Sequence, residues 1–136
     1  MKALLLLSVF VFHFALAAES GDEGELTAQM EQDLGTYTEQ IHTRLNTIYN
    51  SKNSSKEEIC KLASGLVPVL KEFDSTLQSY EYTLRSAMKS PTAFAENTQE
   101  LAMVKSVYAT NLRMNLDSTH QALDKINAHY SCALSL

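Results

Sequence analysis

Apolar residues recur every three or four positions along nearly the whole chain after residue 25, and this period constrains the fold more than any other feature. In the first stretch Leu26, Met30, Leu34, Tyr37, Ile41, Leu45 and Ile48 are spaced 4-4-3-4-4-3, one stripe of an α-helix. A pattern near eleven residues per three turns keeps its stripe on an almost straight helix, which favours a globular bundle over a left-handed zipper. The polar turn 50–54 follows, and Ser55-Lys56-Glu57-Glu58 then reads as a capping box that starts a second helix. Its predicted core face is Ile59, Leu62, Leu66, Val69, Phe73, Leu77, Tyr80 and Leu84, ending near Met88. The third stretch has two candidate starts, Ser90-Pro91 and Asn97 with Glu100. Its stripe is Leu101, Val104, Tyr108, Leu112, Leu116, Thr119, Leu123, Ile126 and Tyr130, a helix of more than seven turns. No run alternates as a strand would, so the fold class expected is all-α.

Pro68 and the two cysteines choose between two bundles. A proline inside a helix loses one hydrogen bond and crowds the carbonyl four residues back, so a kink or a break is expected there. If Pro68 only kinks the second helix, three long helices run up, down and up, and Cys60 meets Cys132 at one end. If the chain reverses at Pro68, a four-helix variant results and the cysteines fall at opposite ends, beyond the roughly 7 Å Cα separation that a disulfide spans. A secreted chain with two cysteines favours the bond. The expectation is therefore an antiparallel bundle of three long helices, the second kinked near Pro68, closed by Cys60–Cys132. In chain-entropy terms that bond is worth about 4 kcal/mol.

The N-terminus carries a targeting signal. Lys2 precedes an apolar run to Phe14, and Ala15-Leu16-Ala17 supplies small residues for signal peptidase. The run is shorter than the about 20 apolar residues of a membrane span. Residues 1–17 are thus read as a signal peptide, 18–25 as an acidic flexible leader, and 26–136 as one helical domain. Loss of Lys2 with the signal takes the formal charge from −5 to −6. An acidic chain with scattered Lys and Arg argues against nucleic acid and against charge-driven binding to anionic membranes.

Few residues suggest chemistry. Glu39 with His42, and Asp117 with His120, have the carboxylate and histidine spacing of bundle metal sites. At about 100° per residue, however, Glu39 lies about 160° and His42 about 100° from Ile41, so both face solvent. Asp117 also points away from its stripe, the pair His120 and Asp124 reads as surface electrostatics, and His129 has no partner nearby. No metal or cofactor is expected. Arg44, Arg85 and Arg113 fall one per helix at different heights and are not expected to converge. There is no nucleophile elbow and no Gly-rich phosphate loop, so enzyme activity is not expected. Asn53-Ser54-Ser55 is a glycosylation sequon in a polar turn.

A secreted, acidic, cofactor-free bundle with one disulfide works by presenting a surface or by enclosing an apolar ligand. The first expectation is an extracellular protein-interaction factor, an effector or signalling-type bundle with a protein partner. The alternative is a carrier of lipid or another hydrophobic small molecule, with Met30, Met88, Met103 and Met114 as adaptable lining.

Overall fold

The structure, a computed structural model, describes residues 22–89 and 96–136. The segment read as a signal peptide, the first residues of the expected leader and the Ser90-Pro91 start lie outside the described residues. Three helices follow one another: α1 (Asp22–Asn50), α2 (Lys56–Lys89) and α3 (Glu96–Tyr130). Helix α1 already includes residues 22–25 of the leader, and α3 begins one residue before Asn97. At 1.5 Å per residue each helix is roughly 45–50 Å long.

The chain turns between α1 and α2 where the sequence offers caps. The Ser51 and Ser54 N–H groups donate to the carbonyls of Ile48 and Ser51 at 3.1 and 2.9 Å, closing α1. The Ser55 hydroxyl then accepts the N–H of Glu58 at 3.3 Å, the N-cap half of the capping box. Helix α2 runs unbroken through Pro68, so the four-helix variant does not form. Pro68 and Ser64 are both exposed, which leaves the carbonyl that loses its bond on the wet side of the helix.

Helix α2 is the central element and makes the extensive contacts with both α1 and α3. Its predicted face is buried at Ile59, Leu66, Val69, Phe73, Leu77, Tyr80 and Leu84, while Leu62 is partly buried. Ala63 and Leu70 are buried as well, since a helix with a neighbour on each side needs a wider apolar stripe than one packed along a single seam. Leu34, Ile41 and Ile48 from α1 and Leu112, Leu116 and Leu123 from α3 complete the core. The edge of the Tyr37 ring meets Phe73 at 6.4 Å between centroids.

The up-down-up order brings Cys60 and Cys132 together as a disulfide with Cα atoms 5.1 Å apart, joining positions 72 residues apart. Beyond α3 the tail turns back sharply, with Ser131 at φ 53° and Ala133 at φ 56°. The Leu134 N–H donates to the Asn127 side-chain oxygen at 3.1 Å, and Leu134 packs on the core. The tail thereby covers part of the α2 surface beside Val67 and Pro68.

Candidate interaction surface

Two groups of charged side chains are tied to one another across helices. Arg113 of α3 spans two acids one helical heptad apart on α2, pairing with Asp74 and with Glu81. Its Nη2 lies 2.9 Å from Glu81 Oε2 and its Nε 3.2 Å from Oε1, a bidentate pair. The hydrogen bonds that Arg113 donates to Glu81 raise its pKa above the ordinary value, against burial and with help from Asp74. Glu81 also accepts, through its main-chain oxygen, the Nε–H of Arg85 at 3.3 Å. Two of the three arginines therefore meet at one residue, while Arg44 lies apart with its guanidinium over Gly65.

A second cluster joins all three helices. The buried Tyr80 hydroxyl donates to Glu31 Oε1 at 2.9 Å, and the same oxygen pairs with Lys105 Nζ at 2.6 Å. Burial foremost, then the Glu31 hydrogen bond and the negative charge it carries, pushes Tyr80 well above the usual tyrosine range. Tyr108 stands edge-on to Tyr80 at 6.5 Å.

The sequence-derived metal candidates do not come together. Glu39 and His42 on α1 and Asp117 on α3 are exposed, and His120, also on α3, is half-buried. His42 Nδ1 has the Asn46 amide at 3.4 Å. Among the described residues no three His, Cys, Asp or Glu side chains are grouped as metal ligands. Among them, too, no helix is long and apolar enough to cross a membrane. Asn53 is exposed in the α1–α2 turn, and the hydroxyl of its sequon partner Ser55 serves as the α2 cap.

What the sequence reading missed lies on α3. Leu101, Val104 and Tyr108 were expected in the core, yet they are 51%, 62% and 40% exposed. Ala102 and Ala109 take the inward positions instead. With α3 turned this way Ala102 and Ala109 lie in line with the buried Leu112, Leu116 and Leu123, Lys105 reaches Glu31, and Arg113 reaches Asp74 and Glu81. Met103, Val107 and Met114 join the outward set at 62–64% exposure. Since Lys105 and Arg113 are turned inward to acids, the exposed side of α3 carries no charge between Glu100 and Asp117. The signal for this face was present as a second spacing. Leu101, Val104, Tyr108, Asn111, Asn115 and Ser118 follow a 3-4-3-4-3 heptad seam that shares its first three residues with the core stripe.

The chain matches no protein-family model, no curated protein and no solved structure.

Proposed function

We propose that the chain is the precursor of a secreted, non-enzymatic protein that acts by protein contact through the outer face of α3. The observation that carries this reading is the uncharged strip from Leu101 to Met114, six large apolar side chains in the open on one helix. Depletion of charge at the centre, with Met and Tyr present, is the composition of a protein interface core. Several polar groups are paired with one another across the helices at partly exposed positions, Arg113 with two acids and Glu31 with Tyr80 and Lys105. The N-terminal signal reading, the disulfide and the exposed sequon at Asn53 fit an oxidising, extracellular setting.

The carrier alternative draws less support. Met103 and Met114 face outward, and Met88 sits at the mouth of an open groove between α2 and α3 with Leu84 and Ala109.

The test is binding of the mature, oxidised protein, purified from a eukaryotic secretory host, to extracellular and cell-surface proteins. Saturable binding that falls at least about tenfold in Val104→Asp, with the helical circular-dichroism signal unchanged, is expected for a central contact residue. Equal binding by the variant, or hydrophobic ligand released on denaturation in place of a protein partner, overturns the reading.

A further inference from the structure

The heptad seam on α3 also says what kind of surface it fits. Along the seam the apolar and polar residues are segregated: Leu101, Val104 and Tyr108 in the first half, Asn111, Asn115 and Ser118 in the second. Val107 and Met114 flank it on one side, one heptad apart, and both are exposed. A fully apolar partner helix would bury the two amides without partners, at a cost. A second α3 in parallel register meets each layer with its own kind. Leu101, Val104 and Tyr108 then face their equivalents, and Asn111 and Asn115 face amides that carry both a donor and an acceptor. Buried asparagines in such seams fix parallel register and two-strand pairing. Antiparallel pairing centred on Tyr108 would instead set Leu101 against Asn115, and Val104 within one residue of Asn111, of the other copy.

We infer that the protein forms a two-fold, parallel homodimer through the outer face of α3. This rests on the reading of that face as a protein contact and names its occupant. The size is adequate. Leu101, Val104, Val107 and Tyr108, 40–63% exposed, offer on the order of 400 Å² of apolar surface, close to the apolar share of the about 800 Å² per partner of a standard interface. Such a contact is isologous, the same patch on both copies, as closed dimers require. It also stays clear of the disulfide end of the bundle, where the turn holding Asn53 lies.

Sedimentation equilibrium of the mature, oxidised protein across the micromolar range tests this directly. A dimer mass is expected for wild type. Val104→Asp and, separately, Met103→Glu replace exposed side chains, so both fold; Val104→Asp sets two carboxylates face to face and raises the dissociation constant at least about a hundredfold. A spin label on Ser118→Cys should report roughly 15 Å between copies, whereas antiparallel pairing would place the labels about 30 Å apart. A monomer at every concentration, a dimer indifferent to Val104→Asp, or the longer label distance each overturns the inference. A monomer that still captures a foreign protein, in a manner lost in Val104→Asp, removes the second copy as occupant and leaves the proposed function standing. A monomer whose binding ignores Val104 removes both.

Discussion

Replacing Tyr80 by Phe should cost little at neutral pH and should reverse its effect in alkali. The ring is fully buried and stays so in the variant, hence only the hydroxyl and its bond to Glu31 are lost. Hydrogen bonds to charged groups contribute about 1.5–3 kcal/mol, neutral ones about 1. Glu31 is about one-third exposed and keeps Lys105, so it is not stranded, and the lower end applies: wild type should be more stable by about 1.5 kcal/mol. In the folded protein the Tyr80 pKa is raised, while in the unfolded chain it titrates near 10. The stabilisation is therefore complete below about pH 10 and is lost as pH rises from there towards the folded value, at about 1.4 kcal/mol per unit. The Phe variant lacks this loss, and every other titrating group is shared. The two stability curves, from urea denaturation at a series of pH values, should converge by about pH 11 and then cross. A gap that stays constant through pH 11 would refute the claim that the buried hydroxyl resists ionisation.

Three further outcomes follow from single features of the bundle. Replacing Cys60 and Cys132 together by Ser removes a link between positions 72 apart and should lower stability by about 4 kcal/mol, a fall of roughly 15–20 °C in Tm by calorimetry. A fall of less than about 5 °C would show that the tail holds α3 to α2 without the bond. Gly65→Ala places a methyl 3.1 Å from the tip of the exposed Arg44 side chain, which can move aside, so helix propensity should dominate. A gain of about 0.5–1 kcal/mol in chemical denaturation is expected, and a loss would mean that Arg44 is held rigidly. Ser131→Gly relieves a left-handed residue just past the end of α3 and should stabilise by several tenths of a kcal/mol to about 1. A destabilised variant would place Ser131 outside the left-handed region in solution.

Much of the fold was legible in local chemistry. The stripe of α1 is inward at Leu34, Ile41 and Ile48, and that of α2 along nearly its whole length, because one face of a 3.6-period helix has to leave water. Ser55 caps α2 as its spacing to Glu58 suggested. The joining of Cys60 to Cys132 followed from counting helices, since two passes, α2 and then α3, lie between them and an even number of passes returns the chain to the same end.

The rotation of α3 was not legible in that way. From Leu101 to Tyr108 two helical stripes overlap, one continuing to Leu112 and one to Asn111, and both have acceptable spacing. The choice between them depends on partners remote in sequence: Glu31 for Lys105, Asp74 and Glu81 for Arg113, and Leu84 for Ala109. Arg113, read from sequence as one of three scattered cations, becomes a clamp for the same reason. Sequence alone determined that the chain is helical, where α2 starts, and which side of α1 and α2 is buried, because those are properties of residues three or four apart. Which way α3 faces, and hence which of its apolar residues remain in water, was decided only in the tertiary structure, where Ala102 and Ala109 pack inward in line with Leu112, Leu116 and Leu123 and leave Leu101, Val104 and Tyr108 outside.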